Sequence, residues 1–235
     1  MPTNLGTTLA EFGTTLAEFG TTLAEFGTTP TELAFGAGLA SALGVYVIVL
    51  GTLLTDREWW PPGDRTPAYY CHWTFVAVFD ASFLATAVLE WGTWGLPRAV
   101  TVTGVVLALC GTAVFAWGAR TMRSAETMGV TGDLYTGGPY AYTRNPQYVG
   151  MIVGVTGFAV AADAAPVAVL AAVHVGWVLL LPRAEEPHLR VSFGETYDRY
   201  AERVPRFLGV RTLRRAVQGG EDGGRSGTMG TERDQ

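Results

Sequence analysis

Two polar stretches stand out in a chain otherwise dominated by apolar runs. The first, residues 138–150, reads Gly-Pro-Tyr-Ala-Tyr-Thr-Arg-Asn-Pro-Gln-Tyr-Val-Gly and lies between two apolar spans. The second, residues 183–189, reads Arg-Ala-Glu-Glu-Pro-His-Leu and follows the last apolar span. Their Arg, Asn, Glu and Tyr side chains supply donors, acceptors and charge. Together they point to an active site built where membrane helices meet the cytosol. Each has a plainer explanation when taken alone. Asn145-Pro146 near glycines is an ordinary start from loop to helix, and a Glu-Glu pair just past a span is usually solvated. Two further ionisable residues, Asp80 and His174, fall inside apolar spans. Charge in hydrocarbon is costly unless paired or hydrated, so an Asp80–His174 pair would line a cavity or lock two helices together.

These stretches have to be positioned by helices. Of the 235 residues, 49% are hydrophobic and 16% charged, against about 25% charged in an average soluble chain. Mean hydropathy is +0.23. The charges lie mostly outside long apolar runs, as in helical membrane proteins. A net charge of −5 gives a nucleic-acid partner no electrostatic support. Apolar spans cover residues 33–54, 70–91, 99–119, 148–162 and 166–181. The first three have the roughly 20 residues that cross a ~30 Å hydrocarbon core. Residues 163–165 alone separate the last two, which predicts a tight helical hairpin starting again at Pro166. All 16 basic residues are Arg, and 15 of them fall on one side of these spans, leaving only Arg98 on the other. The excess marks the cytosolic side, with the N-terminus outside and both polar stretches inside. The fold class expected is therefore all-α: a polytopic bundle of five membrane helices, the last two a hairpin.

Outside the spans, residues 6–12, 13–19 and 20–26 each read GTTLAEF, and a degenerate fourth copy covers 27–35. The heptad length puts Leu and Phe on one face, but the Gly-Thr-Thr of each unit opposes a stable helix. We expect segment 1–32 to be loosely ordered. No leader peptide is expected from this N-terminus. After the spans, Leu189, Phe193, Tyr197, Tyr200 and Val204 recur at spacings of three and four, predicting one amphipathic cytosolic helix. Segment 208–235 begins basic and turns rich in Gly, Ser, Asp and Glu, the composition of a disordered tail. Cys71 and Cys110 read as buried apolar thiols, forming neither a disulfide framework nor a metal pattern.

The polar stretches resemble a known signature. Membrane methyltransferases of the isoprenylcysteine carboxyl methyltransferase and phospholipid methyltransferase type carry Arg-His-Pro-x-Tyr-x-Gly before a helical hairpin. Glu-Glu and Phe-Gly-x-x-Tyr-x-x-Tyr then follow. Here the elements stand as Arg144-Asn145-Pro146-Gln147-Tyr148-Val149-Gly150, Glu185-Glu186 and Phe193-Gly194-Glu195-Thr196-Tyr197-Asp198-Arg199-Tyr200, closed by Val204-Pro205-Arg206-Phe207. Order and spacing match over residues 120–207, with the repeat and the first span outside the resemblance; the membrane domain expected, first span included, is 33–207. Asn145 departs from the signature's His and cannot titrate near neutral pH.

The resemblance implies S-adenosylmethionine as methyl donor. It implies a cofactor site formed by Tyr140, Arg144, Asn145, Pro146, Tyr148, Gly150 and Glu185. Arg144 suits a carboxylate clamp, and Glu185 or Glu186 would accept from ammonium or ribose hydroxyls. The tyrosines offer faces for adenine or sulfonium, and Gly150 permits close approach. Glu186 and Arg206 are the catalytic candidates, one as base and the other steering an acceptor carboxylate. No metal site is expected. The acceptor would be lipid-soluble or amphiphilic, with a carboxylate, amine or thiol to methylate, reached from among membrane lipids. Two alternatives stay open: an NADPH-dependent reductase of the sterol reductase type, whose fold is similar, and a non-catalytic lipid-binding protein.

Overall fold

The computed structural model describes residues 29–122, 127–130 and 132–209, together with Thr14. The repeat segment, apart from Thr14, and the C-terminal tail beyond residue 209 lie outside the described residues. The described chain is all-α, in the order α1 (Pro30–Leu54), α2 (Pro67–Glu90), α3 (Arg98–Thr121), a 3-10 turn (Gly138–Ala141), α4 (Pro146–Ala162), α5 (Ala165–Phe193) and α6 (Glu195–Arg203). Among the described residues no sheet forms, and one isolated bridge joins Gly63 to Val130.

Local chemistry sets the helix starts. Thr29 and Glu32 form a capping box in front of Pro30, and Thr66 caps α2 ahead of Pro67. Both place the rigid ring where its missing N–H is not needed. Helix α4 ends at Asp163, whose left-handed backbone (φ 54°) turns the chain into α5 within two residues. The Asp163 side chain and carbonyl accept from the backbone N–H groups of Leu96 (2.9 Å) and Trp94 (2.8 Å), closing that end of the bundle. The hairpin expected from residues 163–165 is thus formed.

Helices α1, α2, α3 and α5 are long and apolar enough to cross a membrane, and the chain is an integral membrane protein. Their outer faces carry exposed Leu43, Leu84, Val88, Val106 and Leu109, which suits contact with lipid. Helix α4 is shorter, at 17 residues.

Helix α5 is the axis. Val167, Leu170, Trp177, Val178 and Leu181 on it are buried against Val45 and Val49 of α1 and Phe79 of α2. Tyr46 donates to the Val173 carbonyl at 3.0 Å, fastening α1 to α5. The fifth span, expected to stop at Leu181, instead continues as helix through Pro182 and Pro187 to Phe193. The inward stripe carries on through Ala184 and Glu186, and that tertiary contact outweighs the two missing N–H donors. At 29 residues the helix is about 44 Å long, so its charged final third stands beyond the ~30 Å hydrocarbon.

Helix α3 packs differently. Its only buried residues are Gly104, Gly111 and Gly118, seven apart. They face Gly157 and Ala161, Gly150 and Gly154, and Gln147 of α4. Backbone meets backbone with no side chain between, the small-residue mode of membrane helix association.

Three expectations change. The amphipathic segment is not one helix: Gly194, at φ +53°, ends α5 and begins α6. Its apolar residues still cluster, with Tyr197, Tyr200 and Val204 buried against Leu134, Leu189 and Phe193. Asp80 and His174 do not pair. Asp80 faces outward, and His174 is buried against Trp177 (ring centroids 4.6 Å apart) and Phe79, with neither ring nitrogen hydrogen-bonded. Cys71 and Cys110 are free and exposed rather than buried.

The glycine seam makes a sharp prediction. A Cβ on Gly111 would sit 2.2 Å from the Gly154 nitrogen, whereas one on Gly154 meets nothing closer than 3.6 Å. Gly111→Ala should lower stability by about 1–3 kcal/mol through overpacking. Gly154→Ala should be neutral or stabilising by up to about 1 kcal/mol through helix propensity. Thermal unfolding of the two variants in detergent checks the opposite signs.

Candidate active site

Three pieces meet at one end of the bundle: residues 55–66 between α1 and α2, the described residues of the α3–α4 connection (127–130 and 132–145), and the charged end of α5 with α6. The cleft between them holds about 1030 Å³ counting its open mouth, the scale of a site for a cofactor-sized molecule. Trp60, Tyr135, Tyr140 and Tyr148 give it aromatic walls, and Arg144, Asn145, Glu185, Glu186 and His188 give it polar groups.

Glu186 is the hub. Arg206 donates to both its oxygens at 2.7 Å in a bidentate fork, and Arg144 Nη2 lies 3.2 Å from Oε1. Arg190 approaches from the next turn of α5 at 3.9 Å. Burial alone would push the Glu186 carboxyl up, but the Arg206 hydrogen bonds and three arginine charges hold it below the usual carboxylate range. Arg144 also donates from Nη1 to the Tyr197 hydroxyl at 2.9 Å, while its buried Nε has no hydrogen-bond partner among the described residues.

Backbone bonds stitch the same pieces together. The Arg144 N–H donates to the Pro205 carbonyl (2.9 Å), and Thr143 and Asn145 side chains both donate to the Arg206 carbonyl (3.0 and 2.9 Å). The Tyr200 hydroxyl donates to the Tyr140 carbonyl at 2.8 Å. Asn145, where the resembling signature has His, thus uses its amide to hold the segment carrying Arg206.

Glu185, one residue away, points elsewhere. Its Oε1 accepts from the Tyr148 hydroxyl in a very short hydrogen bond and from Trp60 Nε1 at 2.9 Å. Burial raises its carboxyl to about 7, against the opposing pull of those two donors.

Of the residues named from sequence, Tyr140, Arg144, Asn145, Tyr148, Glu185 and Glu186 line the cleft together. Arg206 joins them through Glu186. Pro146 and Gly150 are placed otherwise. Pro146 is fully buried at the start of α4, and Gly150 lies in the seam, where a Cβ would meet the Phe115 nitrogen at 2.4 Å. Sequence reasoning missed Trp60 and the cleft-lining residues of 127–130 and 132–135. Trp60 reads as an interfacial aromatic, and no local pattern links it to Glu185, 125 positions on.

The raised Glu185 carboxyl carries a pH signature. Between its unfolded value near 4.5 and about 7, the folded state binds the proton that the unfolded state has released. Stability is therefore greatest below the lower value and falls as pH rises through the upper one, by at most about 3 kcal/mol. Melting temperature in detergent should decline from pH 5 to pH 8, and Glu185→Gln should flatten that decline.

Residues 99–196 match a family model described as phospholipid methyltransferase. The chain is also 30% identical over 142 residues to the cobalt-zinc-cadmium resistance protein CzcN of Cupriavidus metallidurans, covering 58% of this chain and 61% of that protein. It thus spans about three fifths of the length of that curated relative. No solved structure matches the chain. The stretch matched by the family model runs from α3 into the start of α6 and carries Arg144, Asn145, Tyr148, Glu185 and Glu186.

Proposed function

We propose that this chain is a membrane methyltransferase that uses S-adenosylmethionine to methylate a lipid-soluble or amphiphilic acceptor. The observation that carries this reading is the Glu186 hub. One carboxylate binds Arg144 and Arg206, with Arg190 close by, and the buried Arg144 Nε has no hydrogen-bond partner among the described residues. Arg190 is also paired with Asp198 at 3.1 Å, so Arg144 and Arg206 against the single Glu186 carboxylate leave one positive charge at the hub, which suits a carboxylate. Glu185 offers the complementary acceptor for an ammonium or hydroxyl. The residues present therefore fit the zwitterionic end and ribose of the implied cofactor. When bound, that cofactor supplies an electrophilic methyl group on a sulfonium.

The protein's own residues divide the remaining work. Arg144, held by Tyr197 and Glu186, presents a fixed charge to an anionic group. Glu186, already clamped and acidic, is a poor proton acceptor. It serves to hold the arginines. Glu185, with its carboxyl near neutrality, is matched to accept a proton at physiological pH. Tyr135 and Tyr140, with ring centroids 6.3 Å apart, offer faces to a cationic or aromatic group. Positioning of this kind supplies much of the acceleration in an in-line transfer.

The membrane arrangement follows the same reading. Five helices cross, α4 with them because α3 and α5 cover its flanks. The N-terminus lies outside, and the cleft opens to the cytosol beside α6, so an acceptor dissolved in lipid enters between helices.

The test is methyl transfer from labelled S-adenosylmethionine to membrane extract by the purified protein in lipid vesicles, with the product identified by mass spectrometry. Arg144→Ala and Glu186→Ala should each cut the rate by about 100-fold or more, the first by removing the charge that meets the donor carboxylate and the second by leaving the buried Arg144 without its carboxylate. Tight binding of NADPH without binding of S-adenosylmethionine would overturn the reading.

A further inference from the structure

The family match begins at residue 99, yet one wall of the cleft comes from before it. Trp60 is 3% exposed, a degree of burial unusual for a tryptophan at the end of a membrane helix, where the indole ordinarily sits among headgroups. Its connection folds back instead. Thr52 Oγ1 accepts from the backbone N–H groups of Trp59 (3.2 Å) and Trp60 (2.9 Å), turning the chain inward as α1 ends. The Trp60 ring stacks on His72 of α2 at 4.0 Å and meets Trp73 edge-on. Trp73 Nε1 in turn donates to the Met128 carbonyl at 3.2 Å. Gly129 faces the Trp60 ring so closely that a Cβ there would lie 2.9 Å from it. The indole is thus wedged between α2 and the 127–130 segment, with its N–H on Glu185 Oε1 at 2.9 Å.

That bond has a directional consequence. Tyr148 and Trp60 both donate to Oε1. Oε2 accepts no hydrogen bond among the described residues and is not sealed off from the cleft. Two donors on one oxygen fix the carboxylate rotamer and turn the other oxygen to the ligand. We infer that Trp60 is a positioning residue for the methyl-donor site, holding Glu185 so that Oε2 receives an N–H or O–H of the bound molecule. The connection between α1 and α2 thereby completes a site whose other described polar groups lie between Thr127 and Arg206. This inference rests on the function proposed above for the identity of the ligand. The titratable groups around Glu185 are Tyr148 of α4 and Glu186 of α5, with His72 of α2 behind the indole.

The test compares Trp60→Phe, Glu185→Gln and the double variant. Phe keeps an aromatic ring in the wedge but loses the N–H and part of the indole's volume, a packing loss shared by both Glu185 backgrounds and so cancelled in their comparison. Calorimetry with S-adenosylmethionine should show Trp60→Phe weakening binding about tenfold, the worth of a hydrogen bond to a carboxylate. It should weaken binding little further in the Glu185→Gln background. Equal losses in both backgrounds would overturn the inference. A second readout needs no ligand. Loss of a donor to the ionised carboxyl should move the pH midpoint of thermal stability upward in Trp60→Phe, with no such shift between Glu185→Gln and the double variant. An unchanged midpoint would also overturn it. Should the wild type bind no S-adenosylmethionine while the midpoint still shifts, the functional proposal fails and the Trp60–Glu185 coupling stands.

Discussion

The charged clamp on Glu186 is the interaction on which the polar end of this protein depends. One carboxylate joins three separate pieces of chain: the loop before α4 through Arg144, the last third of α5 on which it sits, and the strand-like exit from α6 through Arg206. A buried ion pair is weak as a source of net stability, because desolvation takes back much of what attraction gives. Breaking one is costly all the same. Its value here is geometric: no apolar contact would hold three guanidinium groups at fixed distances around one point. The hydrogen bonds from Thr143, Asn145 and Tyr200 then lock the surrounding backbone.

The membrane bundle makes that clamp possible by bringing remote connections to one end. The two-residue turn at Asp163 returns α5 antiparallel to α4, so Arg144 and Glu186 meet although 42 residues apart. Extension of α5 past its apolar run carries the Glu-Glu pair on a rigid helix instead of a loop. Successive positions on that helix point about 100° apart. Glu186 therefore faces the arginines while Glu185 faces Tyr148 and Trp60. Adjacent carboxyls acquire opposite character, one held acidic by cations and the other pushed toward neutrality by burial.

Much of this was legible in the sequence, for physical reasons. The apolar runs, the Asp163–Ala165 break and the Arg-Asn-Pro and Glu-Glu elements are local signals, and all mark real features of the structure. Four of the spans were placed within a few residues. The end of the fifth was missed because its composition changes at Leu181 while its inward stripe continues. The break at Gly194 was missed because a periodicity of three and four survives a change of helix when both halves pack on the same neighbours. Gly150 reads as a cofactor contact from its motif, but its local reason is the close passage of α3. Trp60 was out of reach: its partner is 125 residues away, and only the folded chain joins them.

Helix α3 buries little beyond three glycines, and those fit only against α4. During synthesis, then, α3 enters the bilayer with nothing yet made to dock on. Its place is defined only when the next helix emerges, and the polar connection between them cannot settle sooner. The α3–α4 half of this protein is in that sense assembled as a pair, with the earlier helix waiting for the later one.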